Sequence, residues 1–126
     1  MSKNPLIAIV DDEKHIRESL AEYFSTFGDY ETIVFSDGNE VIEWLKTNVC
    51  DVCIIDIKMP GINGIETIEE IKKLQPKQKI IIFTGSRFQD ISSISTQLDI
   101  PEEYIIVKPL HTMEIFLDKI KKILEE

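Results

Sequence analysis

Positive charge is in short supply: the 126-residue chain carries 14 lysines and arginines against 23 aspartates and glutamates, a formal net charge of −9. A surface of that sign repels phosphate backbones and anionic lipid headgroups, which argues against direct binding to nucleic acid or to a membrane. Long apolar runs are missing too. The only early one, Leu6 to Val10, is too short for a signal-peptide core and lacks a basic leader with a small-residue cleavage site. No other stretch approaches the length of a membrane span, so a cytoplasmic protein is expected. Nor is there room for a second domain. A chain of 126 residues with 43% hydrophobic content builds one core, and residues 1–126 read as a single domain without repeat, low-complexity stretch or linker.

Cysteine is scarce. The two present, Cys50 and Cys53, have a Cys-Asp-Val-Cys spacing that suggests a redox pair or half a zinc site. A thioredoxin-type pair sits at a helix start, where the dipole lowers the thiol pKa, whereas these flank the entrance to an apolar strand-like run. Zinc needs about four ligands. Only His15 and His111 could add nitrogens, from distant parts of the chain. The expectation is buried, reduced, structural thiols.

What the chain does have is regular alternation. Five strand-sized runs, Leu6–Val10, Thr32–Phe35, Val52–Ile55, Lys79–Phe83 and Tyr104–Val107, are mostly β-branched or aromatic. Helical spacing follows each: Ile16, Leu20 and Phe24; Val41, Ile42 and Leu45; Ile65, Ile68 and Ile71; Ile91, Ile94 and Leu98; Met113, Leu117, Ile120 and Leu124. Asp37 with Glu40 reads as a capping box, Pro60-Gly61 and Gly64 mark the turn into the third helix, and Pro76 closes it. Strict βα alternation with nearly unbroken apolar strands implies an α/β fold, a parallel sheet covered by helices on both faces.

Ligands in such sheets bind at the carboxyl ends of the strands. There the sequence places Asp11 and Asp12 after the first run, Asp56 after the third, Thr84 after the fourth and Lys108 after the fifth. An aspartate after a strand is commonly a turn former or a helix cap, and each of these alone would be read that way. Together they make a different case. Two carboxylates about 4 Å apart at an effective dielectric near 20 repel by roughly 4 kcal/mol, and here three converge. A cation is required, and an open, all-oxygen site favours Mg²⁺. Lys108 can hold a phosphoryl oxygen and Thr84 can donate a hydrogen bond to another. A carboxylate nucleophile, a metal, a lysine and a hydroxyl form the inventory for phosphoryl transfer to an aspartate, where catalysis is mostly positioning and charge stabilisation.

The joint pattern of Val10-Asp11-Asp12-Glu13, Asp56-Ile57-Lys58-Met59-Pro60-Gly61 with Gly64, Thr84-Gly85, and Lys108-Pro109 covers the whole chain. It resembles the response-regulator receiver family of two-component systems, specifically its single-domain chemotaxis-type members. The resemblance implies a flavodoxin-like, doubly wound five-stranded sheet in the order 2-1-3-4-5 with five helices. It implies that Asp56 is the phosphoacceptor and a direct Mg²⁺ ligand, that Asp12 is the second direct carboxylate ligand, and that Asp11 acts through a metal-bound water. The Lys58 backbone carbonyl is then the third protein ligand, Thr84 the switch hydroxyl, and Lys108 the phosphoryl-pairing lysine in a cis Lys108–Pro109 peptide. The implied partners are a histidine kinase or histidine phosphotransfer protein as donor and a downstream effector protein as receiver of the signal. The chain would be a phosphoacceptor signalling domain, catalysing only its own phosphorylation and dephosphorylation.

Three departures from the family pattern stand out. Receivers often have an aromatic three residues before the lysine; here that position is Ile105, with Tyr104 one residue earlier. The stretch from Gln97 to Glu103 is longer than usual and contains Pro101, and Gly85 replaces the usual alanine. The output response is therefore expected to run through Gln89 to Glu103, or through Tyr104 if the register shifts by one. Two rivals fit less well. A haloacid-dehalogenase-like phosphatase would have a second Asp two residues after the nucleophile, where Lys58 stands, and a cap insertion. An FMN carrier would offer its phosphate hydroxyls and amides, whereas Asp11-Asp12-Glu13 repels it. Trp44 reads as partial packing on the second helix, His15 and His111 as exposed structural residues, and Glu13 as a solvated residue at the first helix start.

Overall fold

Five strands alternate with five helices. In the computed structural model, which describes residues 4–57, 63–85, 91–107 and 113–126, the chain runs β1 (Leu6–Val10), α1 (Lys14–Phe27), β2 (Glu31–Phe35), α2 (Gly38–Leu45) and β3 (Val52–Ile55). It continues through α3 (Gly64–Leu74), β4 (Lys79–Thr84), α4 (Ile91–Leu98), a single 3-10 turn (Glu102–Tyr104), β5 (Ile105–Val107) and α5 (Glu114–Leu124). The strands form one sheet in the order β2-β1-β3-β4-β5, and the paired strands are parallel throughout. This is the flavodoxin-like topology the resemblance implied.

The central strands are apolar at nearly every position because both of their faces are covered. Ile7, Ala8, Ile9, Val52, Cys53, Ile55, Ile81 and Ile82 are fully buried. On one face, Phe116 of α5 packs edge-on against Phe24 of α1 at 5.8 Å and against Phe83 of β4 at 4.9 Å. Truncating a buried aromatic of this kind to alanine costs about 3–5 kcal/mol. On the other side α2 packs on α3, and α3 on α4. Trp44 is half-buried and tilts against Phe35 at 5.6 Å, the packing role expected of it.

Local signals explain the joints. Asp37 caps α2 by accepting from the Glu40 amide at 3.0 Å. The second half of the predicted capping box is displaced by one residue: the Glu40 carboxylate takes the Ser36 amide and hydroxyl, both at 2.7 Å. Those two bonds hold the Glu40 carboxyl below the usual carboxylate range. Asn63 caps α3 by accepting from the Glu66 amide at 2.9 Å. Past α4, Asp99 takes a positive φ of 54°, and the Lys72 ammonium closes the helix end by donating to the Leu98 and Asp99 carbonyls.

The last strand begins one residue later than its sequence suggests. Tyr104 belongs to the 3-10 turn rather than to β5. Pro101, fixed at φ −55°, opens that turn and its carbonyl accepts the Tyr104 amide at 2.9 Å, which withdraws Tyr104 from the ladder.

Candidate functional site

The ladder register aligns the strand ends. Val10 stands beside Ile55, so the next residues, Asp11 and Asp56, leave the sheet at the same level. The Asp56 amide donates to the Val10 carbonyl at 3.0 Å and the Asp11 amide to the Phe35 carbonyl at 3.2 Å, extending the ladder by one rung on either side. Ile55 pairs with Ile82, and Thr84 closes β4 two residues on, opposite Val107.

Three carboxylates converge there. Asp11, Asp12 and Asp56 each offer an oxygen within 4.8 Å of the others. Asp11 and Asp56 are buried while Asp12 is exposed, so the cluster opens toward solvent on the Asp12 side. A cluster of this density and donor type fits a hard divalent cation of the Mg²⁺ class. Thr84 is fully buried at the neighbouring strand end.

The β1–α1 turn is tied down on both sides of Asp11. Its Oδ1 accepts the Glu13 amide at 2.9 Å, and its backbone carbonyl accepts from Nη1 of Arg17 at 2.9 Å. Arg17 thus fastens the first turn of α1 to the strand end that carries two of the acids. Nothing in its spacing marked it beforehand, since an arginine in the first turns of a helix reads as a solvated residue. Glu13 is the α1 N-cap and makes no side-chain cap bond; it stands 3.7 Å from the exposed His15.

On the far side of Asp56, α3 presses against the strand exit. The Gly64 amide donates to the Ile57 carbonyl at 2.8 Å. A Cβ on Gly64 would lie 2.4 Å from the Asp56 carbonyl oxygen and 2.4 Å from the Ile57 Cα, so only glycine fits this approach. The Asn63-x-x-Glu66 cap that starts α3 here was legible as a helix-start signal and is an addition to the sequence reading.

Of the sequence-derived site residues, Asp11, Asp12, Asp56 and Thr84 are brought to one edge of the sheet. Lys58, Lys108, Pro109 and His111 lie outside the described residues. Ile105 is buried in β5 opposite Ile82. Tyr104 precedes the strand and is also buried; its hydroxyl is under the influence of Glu126 and Glu103. That places the hydroxyl toward the start of β5, while Thr84 lies at the other end of the pairing, opposite Val107.

The comparisons agree with this arrangement. A family model described as the response regulator receiver domain matches residues 7–120. The chain is 31% identical over 121 residues to sporulation initiation phosphotransferase F of Bacillus subtilis (strain 168), covering 96% of this chain and 94% of that protein. It is 38% identical over 77 residues to the DNA-binding transcriptional regulator NtrC of Klebsiella pneumoniae, covering 61% of this chain and 16% of that one. Among solved structures, a CheY-like receiver domain protein from Methanospirillum hungatei JF-1 superposes with a TM-score of 0.85 at 30% identity, covering 97% of this chain and 94% of that one. The response regulator TrrA from Thermotoga maritima, solved in complex with Mg²⁺-BeF, gives a TM-score of 0.79 at 34% identity, covering 94% and 98%. Several relatives are much longer: the chain spans 16%, 41% and 30% of the length of three of them.

Proposed function

Because the chain belongs to the response regulator receiver domain family, we propose that Asp56 accepts a phosphoryl group from a phosphohistidine on a histidine kinase or phosphotransfer protein, and that the modified chain then presents an altered surface to a downstream effector. The observation that carries this reading is the meeting of Asp11, Asp12 and Asp56 within 4.8 Å, beside the buried Thr84. A carboxylate oxygen of Asp56 forms the new bond to phosphorus as the bond from phosphorus to the donor imidazole nitrogen breaks. The leaving nitrogen keeps the electron pair. The Lys58 carbonyl joins the three acids as ligand donors in this reading, while Lys108 and Thr84 bind phosphoryl oxygens.

Mg²⁺ held by Asp11, Asp12, Asp56 and the Lys58 carbonyl would offset the charge of the acids and of the incoming phosphoryl oxygens. Two names point the same way: the Bacillus relative is called a phosphotransferase, and TrrA was solved with Mg²⁺-BeF. Among the described residues no helix is long and apolar enough to cross a membrane, which accords with a donor met in the aqueous phase.

The test is direct. Incubation with phosphoramidate and Mg²⁺ is expected to add one phosphoryl group to the chain, located by peptide mapping to Asp56, and Asp56→Asn is expected to take none. Equal labelling of the Asn variant overturns the assignment.

A further inference from the structure

At the opposite edge of the sheet the two cysteines meet. Their sulfurs are 3.4 Å apart, although residues three apart on a regular strand point to opposite faces. The chain bends at Asp51 and so escapes that rule. Asp51 donates its amide to the Leu6 carbonyl at 2.9 Å and accepts the Leu6 amide on Oδ2 at 2.7 Å, which turns Cys50 back over β3. Gln78 then fixes Cys50, donating from Nε2 to its carbonyl at 3.3 Å and accepting from its Sγ at 3.7 Å. Cys53 is fully buried, whereas Cys50 is half-buried and lines an open depression of about 600 Å³ with Asp51, Pro76, Lys77, Gln78, Lys79 and Leu124 among others.

We propose that Cys50 and Cys53 are a thiol–disulfide pair, in which Cys50 reacts with a low-molecular-weight disulfide carrying carboxylates, of the glutathione class, and Cys53 resolves the product into an intramolecular disulfide. Cys50 is the more exposed of the two and lines a depression in which Lys77 and Lys79 stand with Asp51, so ammonium groups are available there to a disulfide that carries carboxylates. Cys50 thiolate attacks one sulfur of the small disulfide; the S–S bond breaks and one small thiol leaves with the proton that Cys50 gave up. Cys53 then attacks the Cys50 sulfur as thiolate and expels the second small thiol, its own proton going with it. Two electrons pass from the pair to the oxidant. Closure to the bonded separation of about 2.05 Å needs an approach of a little over 1 Å, in which the Cys50 Sγ gives up its long contact with Gln78.

The hydrogen bond with Cys50, then burial, then the charge of Cys50 hold the Cys53 thiol well above its ordinary range, so Cys50 is the sulfur that reacts first and Cys53 the one that resolves. A metal is a poorer occupant. Zinc would take about four ligands, of which the two sulfurs supply half. Among the described residues, the metal-type cluster of three or more such side chains is Asp11, Asp12 and Asp56 alone.

The experiment is equilibration of the folded, reduced full chain with oxidised glutathione, followed by intact mass and thiol alkylation. The wild type is expected to lose two hydrogens and both alkylatable thiols, with no glutathione retained. Cys53→Ser is expected to stop at one glutathione on Cys50, and Cys50→Ser to remain unmodified. Asp56→Asn, altered at the other edge, is expected to close its disulfide like the wild type. Stable retention of one glutathione by the wild type, unreacted thiols in both positions, or disulfide-linked dimers through Cys50 would each overturn the proposal.

Discussion

Gly64 and Asp56 are in backbone contact: a Cβ at Gly64 would stand 2.4 Å from the Asp56 carbonyl oxygen. The atoms it would strike belong to main chain and cannot rotate away, so the helix start or the strand exit must move. Gly64→Ala is expected to cost about 1–3 kcal/mol, the range for overpacking, read as a lower urea midpoint at unchanged m-value. It should also slow labelling by phosphoramidate, because the displaced exit carries the proposed acceptor, Asp56. Full stability together with full labelling rate in the alanine variant would show that the contact is not restrictive.

Asp12 differs from its two companions in being exposed, so its removal opens no cavity. Asp12→Ala is expected to leave the stability of the metal-free protein unchanged or slightly higher, since one of three mutually repelling charges is gone. Added Mg²⁺ should stabilise the parent by about 2.7 kcal/mol at a hundredfold excess over Kd, read as a higher Tm, and should barely move the variant. Equal protection of both proteins by Mg²⁺ would remove Asp12 from the ligand set.

Most of the architecture was legible because the central strands are apolar on both faces, and a parallel sheet wrapped by helices is the arrangement that tolerates this. The convergence of Asp11, Asp12 and Asp56 was legible because each directly follows such a strand, and strand ends in this fold share an edge. What escaped depends on a bend or on a long-range partner. Cys50 reads as strand-flanking until the Asp51–Leu6 pairing turns it onto Cys53. Tyr104 reads as strand until the turn opened by Pro101 removes it. Arg17 gave no signal, since the carbonyl it grips is six residues earlier and belongs to another element.

Tyr104 makes a pH prediction. Its hydroxyl is buried, and burial, reinforced by the neighbouring carboxylates of Glu126 and Glu103, pushes its pKa up to about 12. The unfolded chain releases this proton near pH 10, about two units before the folded one. The folded state therefore binds more protons between those values, and stability falls as pH rises from about 10 to 12. Tyr30, also raised by burial, contributes in the same direction, so the comparison is between variants. Tyr104→Phe is expected to match or slightly exceed the parent in stability near neutrality and to lose less between pH 10 and 12. Parallel stability curves for the two proteins across that range would contradict the raised pKa of the buried hydroxyl.

The signal's exit from the site follows from what stands at position 105. In the receiver family an aromatic there turns inward when the switch hydroxyl moves toward the phosphoryl group. Ile105, buried opposite Ile82 and two rungs from the pair of Thr84 with Val107, has neither the reach nor the polar tip for that swing, and its β-branch stiffens χ1. Tyr104 stands in the turn before the strand, with its hydroxyl under the influence of Glu126 and Glu103. Thr84 is still expected to respond to the bound group, with the change passing into the segment between residues 85 and 103 rather than through a rotating ring. Amide chemical shifts recorded with and without beryllofluoride and Mg²⁺ give the readout. Changes concentrated in residues 84–103, preserved in both Ile105→Val and Tyr104→Phe, fit this route. Loss of the response in Ile105→Val alone would make Ile105 the switch, and loss in Tyr104→Phe alone would return that role to the tyrosine hydroxyl.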